Sequence, residues 1–289
     1  MTEDSRPADW IAAEFDGARL NVWPMHQREP LTHLSCPSAA SGTIGDIISL
    51  SAGWLHRLPM PVVFCGNTRV STVSIPCKPD SLDLVTDKTS HSKITLHSLP
   101  GITQSSPCAQ IQASGARIAG FMQLNPNWDG VLCLPGAHTH WVHISAGEIV
   151  SFQSFLTHSM LTALEARLSE TTDLGDADWD REAFEEAVAD TMSRPERLAA
   201  RLAEINAETT LHKIHADVAC GRLAGVLIGA ELAAARAYWL GQNIALIGDD
   251  HLSAPYAAAL GQNGLSATIA DARRMALEGL IAAKSRLPE

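Results

Sequence analysis

Residues 128–155 read WDGVLCLPGAHTHWVHISAGEIVSFQSF, and the order of apolar and polar positions along them decides the fold. Residues 131–134 are a short apolar run stopped by Pro135-Gly136, a pair that breaks regular structure. Residues 140–145 alternate polar and apolar, Ala146-Gly147-Glu148 supply a tight turn, and 149–155 alternate again. The pattern predicts three consecutive strands, with Pro135-Gly136-Ala137-His138-Thr139 at the tip of the first hairpin. Backbone amides at such a bend, together with the Thr139 hydroxyl, can face an anion.

The same layout recurs near the start of the chain. Residues 8–23, ADWIAAEFDGARLNVW, read as strand, turn at Asp16-Gly17, strand. Two halves that each begin on a β-hairpin suggest duplicated domains. Between them the sequence predicts a helix over 44–58 and strands over 60–65, 70–75 and 94–99, with 81–92 polar and exposed and a helix within 110–124. Beyond the central strands come a helix over 159–168, an acidic loop over 171–180, and amphipathic helices over 180–192 and 194–207 with Asp178 or Asp180 as N-cap. Residues 223–239 are apolar nearly all round and predict a buried helix. The chain then closes as strand 243–248, helix 251–262, strand 266–269 and helix 271–285. Strand and helix alternate here, the mark of an α/β fold.

Composition narrows the function classes. Apolar residues make up 46% of 289, enough for a buried core, and the longest apolar runs fall short of a membrane span. The start, MTEDSRPADW, is polar and acidic, without an apolar signal core. A net charge of −11 argues against nucleic acid, whose phosphates need clustered lysine and arginine. The six cysteines form no C-x-x-C pair, which suits a reducing compartment. A cytoplasmic location is expected.

LCLPGAHTHWVHIS, followed by GEIVSFQSFLTHSMLTAL, closely resembles the middle of the 2-dehydro-3-deoxygalactonokinases. That family's version is roughly LCLPGTHTKWV and then G-E-V-x-x-F-x-T-F-M-T-G-E-L. These are ATP-dependent sugar-acid kinases of the sugar kinase, heat-shock protein and actin superfamily. The likeness extends to Trp10-Ile11-Ala12, Leu20 and Trp23 at the start, to RPERLAARL at 194–202, and to GRLAGVLIGAELAAARAYWLGQNIALIG and YAAALGQNGL near the end. It implies an α/β, two-lobed actin-like sugar kinase fold of duplicated ribonuclease H-like domains. Residues 1–127 would be the N-terminal lobe, and 128–289 the C-terminal lobe with the nucleotide-side helices. Each half would contribute a phosphate-facing hairpin to a cleft. The residues it implies for phosphate or nucleotide are Glu14, Gly17, Gly136, Ala137, His138, Thr139 and Gly229, with Gly66 and Thr157 on the substrate side. Mg²⁺ and ATP are the cofactors of an active kinase, on the 136–139 loop and near Gly229; otherwise none is implied. No catalytic residue and no metal ligand is assigned.

The departures from the family pattern fall where the chemistry should be. The first phosphate loop, Asp-Trp-Gly-Thr-Ser in the family, aligns with Glu14-Phe15-Asp16-Gly17-Ala18. Asp16 adds bulk and a like charge where a phosphate would approach, and a hydroxyl donor is lost. The family's C-G-M-x-G-S-R is present only as Cys65-Gly66-Asn67-Thr68-Arg69. Its R-G-E-E-x-Q-I-x-G aligns with Gln112-Ala113-Ser114-Gly115-Ala116-Arg117-Ile118-Ala119-Gly120, losing one arginine and two carboxylates. In the second phosphate loop Thr and Lys have become Ala137 and His140, and Thr-Gly-Glu has become Thr157-His158-Ser159. A general base must be a carboxylate or imidazole within reach of the substrate hydroxyl, and the aligned carboxylates are gone.

Two further patterns have plainer explanations. His138, His140 and His143 form H-x-H-x-x-H, with His158 as a further ligand candidate, but spacing alone does not converge three ligands. Leu227-Ile228-Gly229-Ala230-Glu231 suits a nucleotide pocket and suits helix packing equally. The expectation is a divergent family member, catalytically impaired, that binds or regulates, with an unknown protein or a small sugar acid as partner. The competing expectation is an active ATP-dependent kinase of 2-dehydro-3-deoxy-D-galactonate or a related sugar acid.

Overall fold

In the computed structural model, which describes residues 6–38, 43–56, 58–66, 71–170 and 179–287, the two predicted hairpins head two separate sheets. β1 (Trp10–Phe15) and β2 (Arg19–His26) pair antiparallel, and β3 (Glu29–Pro30) and β4 (Leu34–Pro37) both add to β2. After α1 (Thr43–Leu50), β5 (Met60–Cys65) runs parallel to β1. β6 (Thr72–Ser74) leaves this sheet, and β7 (Val85–His91) and β8 (Ile94–Ser98) complete it, giving the order β3-β2-β1-β5-β8-β7. β9 (Gly101–Ser105) and β10 (Cys108–Ile111) join β6 in a three-stranded sheet.

α2 (Gly115–Leu124) leads to β11 (Gly130–Leu134), β12 (Thr139–Ser145) and β13 (Glu148–Phe155). Then follow α3 (Thr157–Ser169), α4 (Arg181–Ser193), α5 (Leu198–Leu211), α6 (Ala216–Ala234) and the short α7 (Arg236–Trp239). β14 (Ile244–Gly248), α8 (Asp250–Gln262), β15 (Thr268–Asp271) and α9 (Ala272–Lys284) close the chain. The third sheet has the order β13-β12-β11-β14-β15, with β14 and β15 parallel to β11. The paths β2-β1-β5-β8 and β12-β11-β14-β15 share one plan, an antiparallel hairpin extended by parallel strands. This is the duplicated, two-lobed actin-like sugar kinase fold.

Local chemistry explains the turns and caps. The β12–β13 turn holds Ala146 at φ 51° and Gly147 at φ 78°, the paired positive φ of a type I′ hairpin turn. Asp180 caps α4 by accepting from the Ala183 N–H at 2.7 Å, and Asp271 caps α9 through Arg274 at 2.6 Å.

Strand periodicity then distributes the core. Trp10 and Ala12 face the cluster formed with α2 and α9, while Ile11, Ala13 and Phe15 face the one covered by α1. In the third sheet Leu132, Leu134, Val142 and Ile144 face that same central cluster, and Val131, Cys133 and Trp141 face the helices α3, α4, α6 and α8. A β-carbon at Gly221, Gly225 or Gly229 would lie 2.5, 2.4 and 2.8 Å from the carbonyl oxygens of Asp180, Phe184 and Val188. This glycine stripe, one residue per four, is what lets α6 lie against α4.

Some expectations need correction. Residues 85–91, within the stretch read as polar and exposed, form the edge strand β7, whose single neighbour β8 leaves one side to solvent. The helix expected within 110–124 begins at Gly115, after a strand. The long helix over 223–239 breaks at Ala235. Residue 70 and the 171–178 part of the acidic loop, with the Asp178 cap, lie outside the described residues.

Candidate functional site

The two hairpin turns meet across a cavity of about 820 Å³, within the range of small-molecule sites. Its walls are the β1–β2 turn (Asp16, Gly17, Ala18, Arg19), the β11–β12 turn (Pro135, Gly136, Ala137, His138), the start of α2 with Arg117, and Asp249, His251 and Leu252 ahead of and within α8. The turns approach so closely that a β-carbon on Gly17, at φ +108°, would stand 3.5 Å from that of Ala137.

Glu14 follows Trp10 and Ala12 on the face of β1 that looks at α2. It is fully buried, and Arg117 grips both its oxygens, Nε to Oε1 at 2.6 Å and Nη2 to Oε2 at 3.1 Å. Burial pushes Glu14 above the usual carboxylate range, with the charge and hydrogen bonds of Arg117 pulling the other way. Burial alone would lower Arg117, but the Glu14 charge reverses this and holds the guanidinium above its ordinary value. Arg117 is therefore a fixed cation. Its Nη2 also lies 3.6 Å from Asp16 Oδ2, and Asp249 adds its charge to the same group. The family resemblance implies Asp at the position of Glu14 and Gln at that of Arg117.

Asp16 occupies its own turn. Its Oδ1 accepts from the Ala18 N–H at 3.0 Å and the Arg19 N–H at 2.8 Å. The first hairpin thus carries an internal carboxylate on amides that would otherwise be free for a ligand anion.

On the second hairpin, His140 points into the cavity with the parity of Val142 and Ile144, and its ring stacks on His138 at 6.2 Å. His140 Nδ1 lies 2.8 Å from Ser154 Oγ. Burial, with His138 adding to it, lowers the His140 pKa to about 3. The native protein therefore keeps His140 neutral while the unfolded chain protonates it near pH 6.5. Its contribution to stability is present above that pH and is lost as pH falls, by about 2 kcal/mol between pH 7 and pH 5. Denaturant titrations at the two pH values should show a smaller loss for His140→Gln than for the wild type; equal losses would refute this assignment.

Thr139 has the opposite parity and turns away from the cavity. Fully buried, it shares a 2.9 Å hydrogen bond with the Tyr256 hydroxyl. Tyr256 donates in turn to Glu231 Oε2 at 2.8 Å, and Trp141 Nε1 donates to Glu231 Oε1 at 2.7 Å. The Thr157 hydroxyl also donates to Glu231.

Of the residues implied for a site, Gly17, Gly136, Ala137 and His138 line one cavity, and Glu14 lies at its floor under Arg117. Four are placed elsewhere. Thr139 and Thr157 serve the Glu231 network, Gly229 packs α6 on α4, and Gly66 sits against Phe64 and Phe15, where a β-carbon would meet Phe64 Cζ at 2.4 Å. Sequence reading did not find the roles of Arg117 or Asp249. The parity of Glu14 with Trp10 and Ala12 was visible, but its partner 103 residues away was not. Asp129, a carboxylate beside the second hairpin, accepts from Ser145 at 3.0 Å at the far end of β11.

The donor set does not fit a divalent cation as it stands. Glu14 is held on both oxygens by a guanidinium, and among the described residues no three His, Cys, Asp or Glu side chains group so as to hold a metal ion.

Comparison with known proteins adds the relatives. The model of a family described as 2-keto-3-deoxy-galactonokinase matches residues 35–283, starting beyond the first hairpin turn. A curated protein of Rhizobium meliloti (strain 1021), named as a 2-dehydro-3-deoxygalactonokinase, is 29% identical over 157 residues. That match covers 53% of this chain and 51% of the relative, so the chain spans about half the length of the curated relative it matches. A solved structure from Sinorhizobium meliloti, described as a 2-dehydro-3-deoxygalactonokinase protein, superposes with a TM-score of 0.84 at 21% identity, over 97% of this chain and 100% of that one. Component A of the Acidaminococcus fermentans (R)-2-hydroxyglutaryl-CoA dehydratase superposes at 0.53 with 11% identity, over 96% and 98%. At these identities the structural likenesses speak to the fold.

Proposed function

The chain belongs to the 2-keto-3-deoxy-galactonokinase family, and we propose that within it this protein binds a small sugar acid in the interlobe cleft with phosphotransfer impaired, acting as a binding or regulatory protein. The observation that carries this reading is the Asp16 carboxylate seated on the amides of Ala18 and Arg19. A phosphate brought to the first hairpin would have to displace a charge of its own sign. Glu14 cannot serve as a general base while Arg117 holds both its oxygens. The cleft nonetheless remains open, at about 820 Å³, with the polar side chains of Gln110, Gln112, Ser114, Gln153 and Ser154 on its walls. Amides and hydroxyls of this kind suit a hydroxyl-rich ligand.

A second reading is favoured by that same open cavity between two opposed turns: an active ATP-dependent kinase of 2-dehydro-3-deoxy-D-galactonate or a related acid. Among the described residues Asp16 and Asp249 are the carboxylates that line the cavity, and Mg²⁺ and ATP would be the cofactors. The lobes we propose are 1–127 and 128–289, with α9 reaching back onto the first. We place the protein in the cytoplasm, on cysteines that are all free. No helix among the described residues is long and apolar enough to cross a membrane.

The test is a phosphotransfer assay with Mg·ATP and 2-dehydro-3-deoxy-D-galactonate, alongside calorimetric titration of the acid. The expected result is binding of the acid without product. Turnover at about 1 s⁻¹ or faster, within the ordinary kinase range, would overturn the first reading and install the second. Asp16→Gly frees the two amides and is expected to tighten ATP binding by about tenfold.

A further inference from the structure

We infer that Arg117 takes the place of a divalent cation on the cleft floor, so that the cleft works without metal and only undoing the Glu14–Arg117 pair opens a metal site. Two carboxylates meet Arg117 at this point. Glu14 is bound through both oxygens and Asp16 Oδ2 stands 3.6 Å from Nη2, while Asp249 lines the same cavity. Hard cations take carboxylate oxygens as ligands, and Glu14 has neither oxygen free for one. A guanidinium, itself buried and fixed on α2, stands between Glu14 and Asp16. It carries five N–H donors, of which two serve Glu14, leaving three for Asp16 or for a ligand in the cavity that Arg117 lines.

The charge balance follows. One guanidinium against Glu14, Asp16 and Asp249 leaves the cleft negative, whereas an ion of charge two would leave it nearer neutral. A polyphosphate arriving without its own ion meets repulsion from Asp16 and Asp249, and a monoanion rich in hydroxyls meets less. The inference rests on the proposed reading in one respect: the cleft is a ligand site.

The experiment is Mn²⁺ titration of the metal-free, nucleotide-free protein, followed by water-proton relaxation. The wild type is expected to show no Mn²⁺ site that depends on cleft residues. The double variant Glu14→Asp with Arg117→Gln restores a short carboxylate and a neutral amide. It is expected to bind one Mn²⁺ at least about tenfold more tightly than the wild type does. A folded double variant that gains no affinity overturns the proposal. So does a wild-type site that Asp16→Asn weakens by about tenfold, and this arm decides the matter even where the double variant does not fold. The kinase assay reads product and this titration reads metal without nucleotide, so the two ideas fail separately. A chain that turns over yet takes up no Mn²⁺ sinks the binding-protein reading alone. One that binds Mn²⁺ at Asp16 and forms no product sinks only the present inference.

Discussion

Replacing Gly120 by valine is expected to cost at least about 3 kcal/mol, the upper end of overpacking. α2 and α9 cross with backbone against backbone. A β-carbon on Gly120 would lie 1.9 Å from the Met275 carbonyl oxygen and 2.7 Å from Gly279 N. The reverse is equally tight, with a β-carbon on Gly279 falling 2.0 Å from the Ala116 carbonyl oxygen. Both obstacles are backbone, so no rotamer change relieves them, and the helices must separate. Around the crossing lie Ile118, Phe121, Met122, Met275, Ala276 and Leu280, all buried, so separation opens the core that joins the two halves of the chain. A melting temperature lower by roughly 6–12 °C is the expected readout. Even Gly120→Ala should destabilise clearly. Gly261→Ala is the control, because its β-carbon would meet nothing within 4 Å inside α8, and a glycine-to-alanine change there is neutral or stabilising. If Gly120→Ala matched Gly261→Ala in stability, the crossing would be looser than described. Arg117 lies one turn before Gly120 on α2, so the cleft floor moves with this contact.

What the sequence disclosed, and what it hid, divides along sequence distance. The hairpin at 140–155 was legible because alternation and a turn that needs positive φ are local signals, and Ala146 and Gly147 supply both. The actin-like plan was legible because two such hairpins recur and the second half alternates strand and helix. The site was legible only as far as the turns: Gly17 and Gly136–His138 do meet. The bend suggests that Thr139 faces a ligand, yet its parity with Trp141 places it on the helix-covered face, against Tyr256. Counting in twos from Trp141 would have shown this. The four-residue spacing of Gly221, Gly225 and Gly229 is a sequence signal of close helix packing, and all three glycines do lie against the backbone of the 180–188 segment. Contacts such as Glu14 with Arg117, or the Gln104 side chain that donates to the Phe152 carbonyl at 3.0 Å and accepts from its N–H at 2.9 Å, leave no trace in one sequence. They join residues far apart in sequence, and only the folded sheets bring them together.

The behaviour of Glu231 follows from that packing. Glu231→Ala is expected to cost about 3–5 kcal/mol, because it removes the acceptor of three buried donors together. Trp141 Nε1, the Tyr256 hydroxyl and the Thr157 hydroxyl all donate to this one carboxylate on α6. Through Tyr256 the network also reaches Thr139 at the base of the second hairpin turn. Losing Glu231 therefore loosens β12, α3 and α8 at once, and the wall of the cleft that carries His138 and His140 loses its backing. Glu231→Gln keeps one carbonyl acceptor and the volume, and should cost less than alanine. Tyr256→Phe removes one donor from the network. In a double-mutant cycle with Glu231→Ala, the loss should be clearly less than additive, since the two residues share one hydrogen bond. Strict additivity would mean the carboxylate and the phenol act independently, contrary to the 2.8 Å contact. Burial raises the Glu231 pKa, and its three hydrogen bonds oppose that shift. The native state thus takes up a proton before the unfolded chain does as pH falls. Its contribution to stability is present below the unfolded value near 4.3 and declines as pH rises through the folded one. The alanine variant should lose that portion of the pH dependence, and a pH dependence of stability identical to the wild type's would refute the raised Glu231 pKa.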